Sequence, residues 1–173
     1  MDNLYYLTLL RSIHILTGGF WVGATFYLAW FVLPAVKASG PEGGRFMQKL
    51  TGTNKLPLVM TLTSSLNILS GLLMIANLSS GFEFVWFNNR HGMLVAAGST
   101  LALIAFLEGI LITRPNAEKL NKLSQTIVAT GQPPTESQAQ LLMGYRSKMI
   151  MVVKQSAILL ILSLIAMSLV HYL

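Results

Sequence analysis

The stretch IHILTGGFWVGATFYLAWFVLPAV, residues 13–36, carries no charged side chain. The hydrocarbon core of a bilayer is about 30 Å thick, and a helix rising 1.5 Å per residue crosses it in about 20 residues. The stretch is therefore long enough to span a membrane. It is also too long, and too poor in preceding basic residues, to read as a cleavable signal peptide. Three more segments share its character. Leu56 to Leu78 is uncharged throughout, His91 to Ile112 is interrupted only by Glu108, and Met149 to Leu173 only by Lys154. The expected fold is all-α: one transmembrane domain over 1–173, an up-down-up-down bundle of four helices. The spans fall at about 4–37, 56–79, 91–113 and 147–172, with a cytoplasmic helical loop at 114–146.

Composition agrees. Hydrophobic residues make up 53% of the chain and charged residues 10%, where soluble domains carry about 25% charge. Mean hydropathy is +0.61. A disordered chain, a nucleic-acid module and an ordinary soluble enzyme are excluded. The absence of cysteine removes disulfides, iron–sulfur clusters, thiolate metal sites and cysteine nucleophiles.

The connections carry the remaining polarity. Residues 37–55 are polar and glycine-rich, and 79–90 are short and aromatic, as suits a bilayer interface. In the long hydrophilic segment, Leu120, Leu123 and Ile127 give Asn116 to Ala129 helical spacing, which predicts a short helix along the membrane surface. TGQPPT (130–135) ends it, and helix resumes from Glu136. The net charge of +6 is strongly lopsided. Arg11 and Arg90 are the only basic residues on the side of the termini. Ten others, Lys37, Arg45, Lys49, Lys55, Arg114, Lys119, Lys122, Arg146, Lys148 and Lys154, lie on the opposite side. By the positive-inside rule that second side is cytoplasmic and both termini face out, which in a bacterium places the chain in the inner membrane, N-out and C-out. The basic balance then reads as topology with contact to anionic lipid, not as nucleic-acid binding.

The histidines are the most informative side chains. His14 sits near the outer end of the first span, His91 opens the third and His171 closes the fourth, so the predicted topology brings all three to one leaflet. Ionisable residues inside spans are costly and are functional candidates. Arg11, His14, Gly18, Trp21 and Thr25 follow a helical step and share one stripe. A neutral imidazole at His14 is a metal ligand, Gly18 on the same face leaves room for a flat macrocycle, and Arg11 one turn outward can meet a propionate. The plainer alternative is an interfacial histidine bonded to a backbone carbonyl, with glycines serving helix packing. For His91 an interfacial helix-start role stands equally open, and for His171 an interfacial end role is the favoured reading. Met74, Met93 and Met167 occupy the same outer half, and thioethers with imidazole suit Cu(I), though methionine also fills packing gaps.

Deeper in the other half, Glu108 and Lys154 stand at similar depth and are expected to pair. Thr61, Ser64, Ser65 and Asn67 offer hydrogen bonds between helices, and Gly98, Ala102, Ala105 and Gly109 give the third span a close-packing face. No dinucleotide fingerprint, P-loop, zinc-protease or serine-elbow motif is present.

RSIHILTGGFWVGATFYLAWFVLPAVK (11–37), with its histidine, glycines, tryptophan and terminal proline, resembles the first helix of the copper-resistance D (CopD)-like membrane family. It is also similar to that of the HemJ-type protoporphyrinogen oxidases. LSGLLM (69–74) resembles the second helix of these proteins, and NNRHGMLVAAG (88–98) is similar in position to their third-helix entry. The likeness covers more than half of the chain. It implies a four-helix bundle whose first-helix histidine, here His14, holds haem b or copper. The basic residue of the family's third-helix entry has no match inside the span; Arg90 and His91 stand at its boundary instead.

The expected function is an integral membrane b-type haem protein with an electron-transfer or oxidase-like role near the outer leaflet. His14 is the first ligand, His91 the second candidate and His171 the third, with Arg11, Gly18 and Trp21 around the cofactor. One alternative is a copper-handling protein using His14, His91, His171 and the outer methionines. Another is a cofactor-free accessory subunit of a larger membrane complex. Membrane lipid and a homo-oligomer or larger complex are the expected partners; the sequence leaves the redox partner open.

Overall fold

The computed structural model describes the backbone of residues 2–170 and the side chains of residues 4–170. Among the described residues every element is helical and there is no strand. Helix α1 (Asp2–Tyr27) passes through a π-helical turn at Leu28–Val32 into α2 (Leu33–Ala38). Then α3 (Gly40–Gln48) and a second π-helical turn at Lys49–Thr53 lead to α4 (Leu56–Leu78). The short α5 (Phe84–Phe87) precedes α6 (Arg90–Glu108), which continues through a third π-helical turn at Gly109–Thr113 into α7 (Arg114–Thr130). Helix α8 (Glu136–Leu169) follows. Four continuous helical stretches are long and apolar enough to cross a membrane: Leu4–Ala38, Leu56–Leu78, Arg90–Thr130 and Glu136–Leu169. Their outward faces carry exposed Leu16, Phe20, Leu62, Leu69, Leu111 and Leu162, a surface that suits lipid and would be a liability in water.

Both polar connections hold more helix than their composition suggests. Residues 40–53 are helical throughout. Helix α7 is the direct continuation of the third apolar stretch and packs against α8. The break between them is where TGQPPT predicts it. Gly131 ends α7 at φ 63°, a left-handed conformation that glycine adopts without strain. Thr135 then starts α8 with a capping box: its hydroxyl accepts from Gln138 N at 3.3 Å, and its own N–H donates to Gln138 Oε1 at 3.0 Å.

The helices pack as two principal pairs, α1 with α4 and α6 with α8, joined by α1 against α8. Each pair is antiparallel by its register. Gly18 faces Asn67 while His14 faces Gly71, and Gly98 faces Ser163 while Glu108 faces Ser156. Trp21, Ala102, Ala105 and Leu160 form the buried centre, with Phe106 edge-on to Trp21 at 6.4 Å between ring centroids. The small face predicted on the third span is the α6–α8 seam. Gly98, Ala102 and Ala105 are buried there, and Ser163 Oγ donates to the Gly98 carbonyl at 2.7 Å.

The expected ion pair between Glu108 and Lys154 is not formed. Ser156 Oγ donates to Glu108 Oε2 at 2.6 Å, and Lys154 is exposed. Positions 154 and 156 stand about 200° apart around a helix of 3.6 residues per turn, so only one of them can face α6. The ion pairs among the described residues are Arg45–Glu42 and Arg114–Glu118, both local and exposed.

These contacts set the expected stability effects. Ser156→Ala strands the Glu108 carboxyl and is expected to cost about 1–3 kcal/mol, whereas Lys154→Met is expected to be neutral. Gly98→Leu forces a side chain into Met167 and the Ser163 backbone, atoms that even a methyl at 98 would approach to 3.1–3.2 Å. It should cost at least about 1–3 kcal/mol. Thermal unfolding of the detergent-solubilised protein reads all three; a Lys154→Met penalty equal to that of Ser156→Ala would restore the ion pair.

Candidate functional site: the His14–Asn67 joint

A helix that buries an imidazole in hydrocarbon must supply partners for its nitrogens from a neighbouring helix. For His14 that neighbour is α4. His14 Nδ1 donates to the Asn67 carbonyl oxygen at 2.9 Å, and Asn67 Nδ2 donates back to the His14 carbonyl at 2.8 Å. Two glycines make this exchange possible. A methyl at Gly18 would lie 2.6 Å from Asn67 Nδ2, and a methyl at Gly71 would lie 2.9 Å from His14 Cε1. Each helix thus presents a polar side chain and, four residues on, a glycine slot: His14 fills the slot of Gly71, and Asn67 fills that of Gly18. Small residues that let backbones approach are the usual currency of helix association in membranes.

The bonding settles the imidazole tautomer. A carbonyl oxygen only accepts, so Nδ1 carries the proton. Ser70 Oγ, 3.4 Å from Nδ1, already donates to the Leu66 carbonyl at 2.7 Å. Asn67 Nδ2, 3.3 Å from Nδ1, is a donor committed to the His14 carbonyl. With the proton on Nδ1, the Nε2 lone pair remains, and it makes no hydrogen bond among the described residues. A neutral histidine whose Nδ1–H is held by a backbone carbonyl and whose Nε2 is bare has the form of a metal ligand with its outer hydrogen bond in place. The ring is half-buried.

The remaining sequence candidates distribute as follows. Trp21 and Thr25 continue the His14 stripe into the core, both buried, with Thr25 Oγ1 donating to the Trp21 carbonyl at 2.7 Å. Gly18 lies on that stripe too, but its open face receives the Asn67 amide. Arg11 is exposed one turn from His14. His91 is exposed in the first turn of α6. Trp21 and Phe106 mark a common level. His14 is seven positions from that level and His91 fifteen, so at 1.5 Å per residue His91 stands about 12 Å farther along the bundle. His171 lies outside the described residues. Met167 is wedged against Gly98 in the α6–α8 seam, and Met93 is exposed. Among the described residues no group of three His, Cys, Asp or Glu side chains is placed to hold a metal ion.

Sequence reading names Asn67 only as one of several inter-helix donors and passes over Ser70 and Gly71. The signal that would have found them is the repeated spacing: His14 and Gly18 in one span, Asn67 and Gly71 in the next, each at i, i+4. Comparison with models of protein families, with curated proteins and with solved structures yields no match for this chain.

The slots make a graded prediction. Gly18→Ala and Gly71→Ala should each destabilise by about 1–3 kcal/mol, because the added methyl displaces a hydrogen-bonded side chain. Gly19→Ala and Gly23→Ala, whose added methyls meet nothing within 4 Å, should be neutral or gain up to about 1 kcal/mol of helix propensity. Thermal unfolding with all four variants side by side checks the ranking; four equal responses would refute the slot geometry.

Proposed function

We propose that this chain is an integral membrane b-type haem protein in which His14, through Nε2, would hold the haem iron. The single observation that carries the reading is the tautomer: Nδ1–H is committed to the Asn67 carbonyl, which leaves Nε2 bare in the apolar part of α1. The resemblance of residues 11–37 to CopD-like and HemJ-type first helices supports it. Iron held there supplies one-electron chemistry. The chain's own groups orient the ligand and set its basicity through the Asn67 bond, and Arg11 offers a cation one turn outward for a propionate. Gly18 belongs to the helix joint in this reading, not to a cradle for the macrocycle. The offset of His91 along the bundle makes His14 the first candidate to hold the iron, and a second ligand, if there is one, would come from His171 or a second copy.

The proposed topology is up-down-up-down in the bacterial inner membrane with both termini outside, supported by the ten-to-two division of basic residues. The site then lies toward the outer leaflet. A copper reading draws less support, since Met167 is packed against Gly98 and Met93 is exposed rather than gathered beside His14. A cofactor-free accessory subunit draws support from the joint itself, whose Nδ1 and amide bonds are complete without a metal.

Absorption spectra of the purified protein, oxidised and dithionite-reduced, test the haem assignment. A Soret band with reduced α and β bands is expected. His14→Gly should lose it, and free imidazole should restore it by entering the vacated space. A His14→Gly protein that folds and keeps the wild-type spectrum would overturn the ligand assignment, and stoichiometric copper without haem would favour the second reading. Topology is checked separately by labelling Gly131→Cys, which should be reachable only from the cytoplasmic side.

A further inference from the structure

At the end of the bundle that carries most of the basic residues, α2, α3, α7 and α8 border a recess. Most of its wall is apolar, built from Leu33 and Val36 of α2, Met47 of α3, Leu120 of α7, and Met149 and Ile150 of α8. Among the described residues that line it, Arg146 is the charged one. The recess sits where uncharged helix gives way to charge. Val36 immediately precedes Lys37, and Met149 immediately follows Lys148. In a membrane that level is where acyl chains meet headgroups.

Arg146 belongs to α8, yet its guanidinium reaches α3. A methyl at Gly44 would lie 3.3 Å from Arg146 Nη2, so the guanidinium occupies the space that a side chain at position 44 would take. No carboxylate holds it there. The ion pairs among the described residues are Arg45–Glu42 and Arg114–Glu118, and Arg146 takes part in neither. A guanidinium carries five N–H donors and accepts nothing. Arg146 is exposed, so an anion can reach those donors from outside the bundle. Asn121, on the same wall, donates to Thr51 Oγ1 at 2.9 Å. Gln48 and Ser124 add an amide and a hydroxyl beside it.

We propose that this recess is a headgroup site for one anionic phospholipid, with Arg146 on its phosphate. The planar N–H fork of arginine matches two phosphate oxygens at once. The apolar wall below it takes the glycerol and the first carbons of the chains, which a free phosphate ion lacks. A zwitterionic lipid brings its own cation to a place where Arg146, Lys148 and Lys37 already stand close in sequence to the lining. Basic pockets between membrane helices are a recurrent seat for anionic headgroups. The proposal is narrower than a general attraction of the basic segments to anionic lipid, because it assigns the binding to one arginine and one glycine. It rests on the chain lying in a membrane and not on the haem assignment, since no residue of the His14–Asn67 joint lines the recess.

The test is native mass spectrometry of the purified, detergent-solubilised full chain, titrated with palmitoyl-oleoyl phosphatidylglycerol or with the phosphatidylcholine of the same chains. A single, saturable phosphatidylglycerol adduct is expected, with phosphatidylcholine binding more weakly. Arg146→Gln should weaken the adduct about tenfold. Lys148→Gln removes the same charge two residues away from a side chain outside the lining, and should bind as the wild type does. Gly44→Leu keeps every charge but drives the guanidinium from its seat, so it should weaken binding as Arg146→Gln does; it also decides the matter if Arg146→Gln fails to fold. Inorganic phosphate should not compete. The proposal is overturned if phosphatidylcholine binds equally, if Lys148→Gln loses as much as Arg146→Gln, if Gly44→Leu binds unchanged, or if inorganic phosphate displaces the lipid, which would make this a site for the free ion. His14→Gly should keep the adduct, so a missing haem spectrum beside intact lipid binding defeats the haem reading alone.

Discussion

Hydrocarbon offers no hydrogen bonds, so every polar group this chain carries into the bilayer must find its partner within the protein. The helices meet most of that demand locally. Thr8, Ser12, Thr17, Thr25, Thr61 and Thr63 each return their hydroxyl hydrogen to a carbonyl one turn back on their own helix. What remains is met across helices at a handful of places, and those places hold the bundle in register: His14 with Asn67, Ser163 with Gly98, Ser156 with Glu108 and, at the polar end, Thr51 with Asn121.

These cross-helix bonds differ in what they leave over. The Thr51–Asn121 and Ser163–Gly98 bonds consume the groups that form them. The His14–Asn67 exchange does not: an imidazole has two nitrogens, and one bond fixes the tautomer while freeing the other nitrogen. The proposed reading of His14 as a haem ligand rests on that free nitrogen and so on the same geometry that ties α1 to α4. The α6–α8 pair shows the contrast. Its seam is also close, through Gly98, Ala102 and Ala105, and there Met167 is packed against Gly98.

The two sites also divide the bundle along its length. His14 and Trp21 lie on one face of α1 about 10 Å apart along the axis. His14 lies toward the end of the bundle with few basic residues, and Trp21 lines a cavity nearer the end with many. Where the three π-helical turns meet α1, α4, α6 and α8, the packing leaves a cavity of about 120 Å³.

Much of the architecture is written in local chemistry and so could be read from the sequence. Length without charge predicts the four apolar helices, TGQPPT predicts the break that Gly131 and Thr135 cap, and the Gly98–Ala102–Ala105 face predicts a tight seam, because each depends only on residues near one another in the chain. His14 was likewise legible as the imidazole that stands out in an uncharged span. Its partners were not. Asn67, Ser70 and Gly71 belong to a different span, far along the chain, and which face of α4 meets α1 is decided by rotation and register that no local pattern carries. The same reason accounts for the missed pairing of Glu108. Equal depth suggested Lys154, but facing is set by helix rotation, and a step of two positions along a helix turns a side chain about 200°. Sequence determined which segments are long and apolar enough to cross a membrane; tertiary packing alone decided which polar groups meet, and with that which nitrogen of His14 stays available.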